Sequence, residues 1–451
     1  MAEDLGIGTS VMNIAVSITA LFSGIFIVVI GGLADRYGRV KVVQGGFVLS
    51  IAGSLLIGFA PSGPLASTFL MVGRILQGLS GAFIMSASLA LVKAYWEGAA
   101  RQRAVSLWSI GSWGGSGFAA LFGGLMAQNV GWRWIFFGAA AISLVGMLMV
   151  RGTPESKAES GGEYRFDTAG VLTFMVMMLA LQVFATQGGT FGWTSPITLG
   201  LLVAGVIFAV LFVRIELKNP FAFVDFGLFR HMTYTGATIS NFLLNATAGI
   251  LIVAMTLVQV GGGMSAQEAG FLTIGYAVAI VAFIRVGEKL LQRFGPRRPM
   301  IWGSIIVGAA ILCLMPTNLL IKTYTILAVV GFTLFGLGLA FYATPSTDAA
   351  LSALPDDQAG TGAGIYKMAS SLGASFGVAI SATIFTVLSK TEDPVQWIDG
   401  VITYLGRQDN VAVREAALVA LAVNLLMVIA AIISIMITIP KETPAANTTD
   451  H

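Results

Sequence analysis

Long apolar runs, broken by short polar stretches, set the rhythm of this chain. A helix needs about 20 mostly apolar residues to cross a bilayer. Runs of that kind fall near residues 11–33, 42–60, 69–94, 104–127, 135–150, 169–185 and 197–213. Others follow near 234–260, 269–286, 301–315, 324–349, 362–388 and 416–439. The pattern predicts an all-α integral membrane protein with thirteen spans. Polar connectors at 151–166 and 216–233 divide it into an N-terminal bundle (1–150), connectors with two inserted spans (151–232), a second bundle (233–440) and a tail (441–451). The first connector, with its PESKAESGGEY run, reads as a flexible cytoplasmic link. Within 390–414, Trp397, Ile398, Val401, Ile402 and Leu405 recur at helical spacing and predict a short interfacial helix.

Charge orients the spans. Alternate loops carry Arg36, Arg39 and Lys41; Lys93, Arg101 and Arg103; Arg151, Lys157 and Arg165; Arg214, Lys218 and Arg230; and Lys289, Arg293, Arg297 and Arg298. Loops on the other side hold only Arg133, Lys322, Lys390, Arg407 and Arg414, so the first set is cytoplasmic. By the same alternation the N-terminus lies outside and the C-terminus inside. One loop breaks the rule: residues 351–361 belong to the cytoplasmic set, yet they have no base and two acids, Asp356 and Asp357.

Composition narrows the class. The 451 residues are 56% hydrophobic and 10% charged, where a soluble domain has about 25% charged residues. A net charge of +3, with bases scattered among loops, argues against a nucleic-acid partner. The single cysteine, Cys313, excludes a disulfide framework, and two histidines make a His-ligated metal site implausible. No cofactor is implied and no leader sequence is evident at the start. Walker, HExxH and nucleophile-elbow strings are missing, so neither ATP-driven transport nor hydrolysis has its minimum parts.

The most informative string is Gly31-Gly32-Leu33-Ala34-Asp35-Arg36-Tyr37-Gly38-Arg39-Val40-Lys41. Gly38 permits a positive φ where one span must turn into the next. Asp35 is an acid among bases at the edge of an apolar span, a position that requires a partner. Residues 288–298 can be laid over residues 31–41 without gaps: Leu290, Arg293, Phe294, Gly295 and Arg298 fall on Leu33, Arg36, Tyr37, Gly38 and Lys41. Gln292 then replaces Asp35 and Pro296 replaces Arg39, as a parallel duplication or two chance basic turns would leave.

Other polar residues lie inside spans. Arg74, with Gln77 one turn later, either faces a protein interior or snorkels to the headgroups. Lys367 poses the same choice. Asn241 and Asn245 can bond to a ligand or join two helices, and Glu268 and Asp348 fall near span ends. Gly111, Gly115, Gly117, Gly123 and Gly124 allow close helix packing in one span. Trp108, Trp113, Phe341 and Tyr342 offer aromatic faces for flat or cationic molecules, or simply pack.

The Gly31–Lys41 string resembles the G-x-L-A-D-R-x-G-R loop of major facilitator superfamily transporters. Leu70 to Gly78 resembles that superfamily's arginine-bearing span, which implies a coupling role for Arg74. Residues 115–124 resemble the antiporter motif of drug exporters, with Ala119 and Ala120 where that motif has Gly-Pro. Residues 364–380 look like those of Nor-type quinolone and multidrug pumps. As a whole, the chain is similar to the 14-spanner drug:proton antiporters.

The resemblance implies the major facilitator fold, two six-helix bundles with two extra central spans. It also implies that residues 1–6 would follow a first span that this chain lacks, leaving the first bundle one helix short. The implied activity is proton-coupled export of amphipathic, often cationic drugs (quinolones, quaternary ammonium compounds, dyes) by alternating access. It would occur in a monomer in the plasma or inner membrane, without enzymatic activity. The coupling candidates are Arg74, Gln77, Asn241, Asn245, Glu268, Asp348 and Lys367. Asp35, Arg36, Gly38 and Arg39 are expected to form a latch, the Asp35 carboxylate seated on the helix start near Gly360–Gly364 and held by Arg39. A metabolite carrier of the same superfamily and a non-transporting membrane sensor are the alternatives.

Overall fold

The computed structural model describes residues 1–7, 9–115, 123, 126, 129–158, 167–219, 221–222, 224–389, 403–405 and 410–441, which contain helices and turns but no strand. The helices are α1 (Thr9–Tyr37), α2 (Arg39–Gly58), α3 (Ala66–Tyr95), α4 (Gly98–Ser109, continued by a π-turn at Ile110–Gly114) and α5 (Arg133–Val150). Next come α6 (Thr168–Phe191), α7 (Pro196–Glu216), α8 (Met232–Ala246), α9 (Gly249–Thr256, with a π-turn at Leu257–Gly261) and α10 (Ala266–Phe271). The last are α11 (Ile274–Phe294), α12 (Arg297–Leu314), α13 (Ile321–Ser352), α14 (Ala359–Leu388) and α15 (Val411–Thr438). Twelve stretches of the described residues are helical, long and apolar enough to cross a membrane. The span expected at 104–127 begins as α4 and its π-turn, and the rest of it lies largely outside the described residues, as do Gly117 and Gly124. Trp397, Ile398, Val401 and Ile402, and with them the expected interfacial helix, are likewise outside.

Most helices outrun their apolar runs by several residues, because hydropathy ends where the first charges appear whereas Lys, Arg and Glu are good helix formers. Asp35 and Arg36 therefore belong to the last turn of α1, not to a loop. Only Gly38, at φ 116°, separates α1 from α2. Three of the other helix starts follow capping chemistry. The Asp167 carboxylate accepts from Gly170 N, the Ser195 hydroxyl accepts from Thr198 N, and Ser265 with Glu268 forms a capping box.

The chain folds into two compact units. Unit 1 comprises Met1–Trp96, Ala119–His231 and Leu351–Ser371; unit 2 comprises Glu97–Phe118, Met232–Ala350 and Leu372–His451. In unit 1, α3 packs on α1 and α2, α5 packs on α2, and α6 pairs with α7. In unit 2, α15 packs on α8 and α12, and α4 packs on α11. Small residues set the closest approaches. A Cβ on Gly53 would lie 2.7 Å from the Gly73 carbonyl oxygen, and one on Gly303 would lie 2.6 Å from that of Gly338. Outward positions are apolar, including Met149, Val203, Ile326 and Ile437, as lipid contact demands.

One expectation fails. The connector after α5 is not a loose tether over residues 153–158. Arg39 N donates to the Ser156 carbonyl at 2.8 Å, Ala158 N donates to the Asp35 carbonyl at 2.7 Å, and the Tyr95 hydroxyl donates to the Pro154 carbonyl. The physical reason is the start of α2, whose first amides have no partner within the helix. Glu155 supplies one, accepting from Val40 N at 2.9 Å and Lys41 N at 3.2 Å.

Candidate functional site

Unit 1 builds its buried ionic site from the last turn of α1, the first turn of α2 and the start of α14. Gly31 on α1 faces Gly360, and a Cβ there would strike the Gly360 backbone. A Cβ on Gly364 would come within 2.8 Å of the Ile27 carbonyl oxygen. Because the backbones cross this closely, the first amides of α14 reach a side chain on α1. Asp35, only 5% exposed, accepts from Gly360 N at 2.8 Å through both carboxylate oxygens and from Thr361 N at 3.0 Å.

Arg39, one turn on and 3% exposed, completes the ring. Its Nε and Nη2 donate to Asp35 Oδ1 at 3.0 and 2.7 Å. Nη2 also donates to the Asp356 carbonyl at 2.7 Å, and Nη1 donates to the Ser156 hydroxyl at 3.1 Å. A buried carboxylate is tolerable only when paired and hydrogen-bonded, and this one has a guanidinium on one side and a helix N-terminus on the other. Arg36 lies beside the ring, its guanidinium 5.5 Å from the Tyr37 centroid. The acidic loop that broke the charge rule is answered here: Lys93 reaches Asp356 at 3.1 Å.

Unit 2 has its own buried pair. Arg101 Nε donates to Asp348 Oδ1 at 2.8 Å, and Gln102 Nε2 donates to Oδ2 at 3.4 Å. This joins the first turn of α4 to the last turns of α13.

The remaining candidates are scattered. Arg74 Nη1 donates to Gln77 Oε1 at 3.3 Å, and Gln77 Nε2 donates to the Ser54 hydroxyl at 3.1 Å. The Arg74 guanidinium lies 5.3 Å from the Phe136 ring centroid, and Arg74 has no carboxylate partner among the described residues. Asn245 Nδ2 donates to the carbonyl and side-chain oxygens of Asn241 at 2.7 and 2.9 Å. Glu268 is exposed and committed to its capping box with Ser265. Lys367 lies on α14, about 12 Å along it from Ala359 at roughly 1.5 Å per residue.

Among the aromatic candidates, Tyr342 is fully buried, its hydroxyl 2.7 Å from that of Ser240 and accepting from that of Ser346 at 2.9 Å. It is a core tyrosine. Trp108, Trp113 and Phe341 are half-buried. Among the candidate glycines, an added Cβ at Gly111, Gly115 or Gly123 meets nothing within 4 Å. The close approach in that stretch is at Gly114, where a Cβ would lie 2.5 Å from Val281.

Sequence reading missed Glu155, Ser156 and the Gly31–Gly360 crossing. The one available signal was Glu155, directly after a proline in a connector that also holds Glu159 and Glu163, which carries no indication of what it caps. Among the described residues no cluster of His, Cys, Asp or Glu is suited to hold a metal ion.

Apolar helices in number, with buried ion pairs at helix ends, define a multi-pass helical membrane protein. Comparison with known proteins gives the family. The Major Facilitator Superfamily profile matches residues 1–378 and 237–450. The chain is 45% identical over 438 residues to the quinolone resistance protein NorB of Staphylococcus aureus strain MRSA252, covering 97% of this chain and 89% of that one. The NorB of strain COL gives 45% over 439 residues with the same coverage. Among solved structures, the proton:xylose symporter XylE superposes with a TM-score of 0.59 at 14% identity, covering 93% of this chain and 85% of that one. The human organic anion transporter MFSD10 (TETRAN) gives 0.59 at 15% identity, with 95% and 87% covered. The chain belongs to the Major Facilitator Superfamily and is a multi-pass membrane transporter of the cell membrane.

Proposed function

We propose that this protein is a secondary active drug exporter that expels quinolones and other amphipathic, often cationic compounds in exchange for protons. The observation that carries the mechanism is the Asp35 carboxylate seated on the Gly360 and Thr361 amides and clamped by Arg39. Support for the substrate class comes from the 45% identity to proteins named for quinolone resistance. Few charged or amide side chains interrupt the spans, which fits an amphipathic cargo better than a sugar-like one.

In this reading Asp35 latches the cytoplasmic ends of α1 and α14 in one state of the transport cycle. The attraction between a carboxylate, a guanidinium and a helix N-terminus is strong only while the carboxylate is ionised. A proton delivered to Asp35 removes the anion, weakens its bonds from two amides and a guanidinium, and releases the latch. Arg74 and Lys367, two bases inside spans, remain the basic coupling candidates in this reading. Asp348, held by Arg101, is the second carboxylate whose neutralisation would loosen a pair of helix ends.

Proteoliposomes loaded with a pH-sensitive dye test the reading directly. Norfloxacin added to the wild type should drive proton movement, and Asp35→Asn should reduce it about tenfold or more at equal reconstitution, since breaking a buried pair costs about 3–5 kcal/mol. Norfloxacin transport with no proton movement would remove the coupling. Undiminished flux in Asp35→Asn would remove the latch.

A further inference from the structure

Unit 2 exposes a basic turn that no acid answers. Lys289 and Arg293 stand one turn apart near the end of α11, Arg298 stands in the first turn of α12, and all three are exposed. None of the three has an acidic partner among the described residues. Glu288, the acid beside them on α11, is buried and bonded to Arg285 and Gln292. Arg297 is engaged otherwise, its Nη2 donating to the Met436 carbonyl at 2.6 Å. At the aligned turn of unit 1 the corresponding charge is already answered, because Arg39 is paired with Asp35.

Aromatic rings hold the two arginines in place. The guanidinium carbons of Arg293 and Arg298 lie 5.2 and 5.8 Å from the centroid of one ring, that of Phe294. Trp302 packs edge-on against the same ring, with centroids 5.3 Å apart. Attraction to the face of Phe294 keeps both charges near each other while leaving their N–H groups open to solvent.

What lies beyond the charges is apolar. Arg298, Trp302, Ile305 and Leu312 recur at helical spacing on α12, and all four are exposed. Charge, then an indole, then aliphatic side chains is the order in which a leaflet presents headgroup, interface and hydrocarbon. A basic loop that only kept its side of the membrane would require the charges alone. Unanswered bases above an exposed apolar face point instead to an anion that carries acyl chains.

We propose that the turn between α11 and α12 binds the headgroup of an anionic phospholipid. The phosphate accepts from Arg293 and Arg298, Lys289 adds positive charge beside it, and the acyl chains run along Trp302, Ile305 and Leu312. Neither the latch nor drug export is needed for this site.

Native mass spectrometry of the full chain in maltoside detergent, titrated with phosphatidylglycerol or phosphatidylcholine, tests the site. Phosphatidylglycerol should bind about tenfold more tightly than phosphatidylcholine or better, since only the first carries net charge. Removing a base should weaken phosphatidylglycerol about fivefold, the factor equivalent to about 1 kcal/mol per Lys or Arg near anionic lipid. Lys289→Gln, Arg293→Gln and Arg298→Gln combined should therefore weaken it about a hundredfold. If melting shows that this variant misfolds, Arg293→Gln alone, expected at about fivefold, takes its place. A control that removes exposed bases elsewhere, Arg103→Gln with Lys218→Gln and Lys322→Gln, should leave the affinity unchanged. Glycerophosphoglycerol and hexaglutamate, which lack acyl chains, should fail to displace the lipid. Equal binding of the two lipids, or equal losses in the two sets of variants, would overturn the site. Displacement by glycerophosphoglycerol would overturn the lipid in favour of a free phosphate ester, and displacement by hexaglutamate in favour of an acidic protein.

Discussion

At Gly38 the chain leaves α1 and enters α2 one residue later, with φ at 116°. At Gly295 it leaves α11 and enters α12 at Arg297, with φ at 70°. The two turns align residue for residue, and each uses glycine because an L side chain rarely adopts a positive φ. Their ionic content differs. In the first, Asp35 finds Arg39 and the amides of Gly360 and Thr361. In the second, Gln292 bends back to Glu288 at 3.2 Å, Glu288 pairs with Arg285 on the same helix, and Pro296 stands where a guanidinium would be needed. The carboxylate of unit 2 that joins two helices is Asp348 instead, through Arg101 and Gln102. A shared backbone device thus carries a cross-helix ionic site only where an acid, a base and an unoccupied helix start converge.

The comparison is broken most sharply at the acid itself. Asp35→Ala strips Arg39 of its buried partner and should destabilise unit 1 by about 3–5 kcal/mol, seen as a large fall in melting temperature in detergent. Gln292→Ala, the aligned change, should cost under about 0.5 kcal/mol. If the two variants melt alike, the distinction between the turns is lost. Asp348→Asn comes next, at about 2–3 kcal/mol, and a double-mutant cycle with Arg101→Met should return a coupling of about 1–3 kcal/mol.

Gly38→Ala and Gly295→Ala should each cost about 1–3 kcal/mol in backbone strain. Gly38→Ala should cost more, because its Cβ would lie 2.5–2.8 Å from the Glu155 carboxyl group and displace a helix cap. Melting curves of the pair should rank them in that order. Smallest among the changes at the first turn is Glu155→Gln, which keeps an acceptor and loses only charge at the start of α2. About 0.3–1 kcal/mol is expected, together with faster hydrogen exchange at Val40 and Lys41.

Much of this was legible from one dimension. The Gly38 turn, the basic side and the need of Asp35 for a partner follow from a local string, whereas the helix start near Gly360 as its seat was an expectation that no local string carries. Other elements were not. Residues 153–158 scored as a flexible connector because polarity alone cannot distinguish a solvated tether from a segment docked on free amides. Asn241 and Asn245 were legible as neighbours one turn apart, but the bonds that Asn245 donates to Asn241 were not. Tyr342 was open between a face for drugs and simple packing, and its hydroxyl lies in the core between Ser240 and Ser346. The glycine that approaches its neighbour is Gly114, although the spacing of its neighbours drew attention to Gly111 and Gly115.

By itself, then, the sequence determined that the chain lives in a bilayer, that its bases gather on alternate loops and where the helices must break. Each of these is set by properties that residues carry with them: transfer energy, charge and permitted φ. Tertiary structure alone decided the long-range meetings. Asp348 lies 247 positions from Arg101, and Glu155 lies 115 positions from Val40. Such pairings exist only because helix crossings bring particular ends together, and no local property of the chain encodes that meeting.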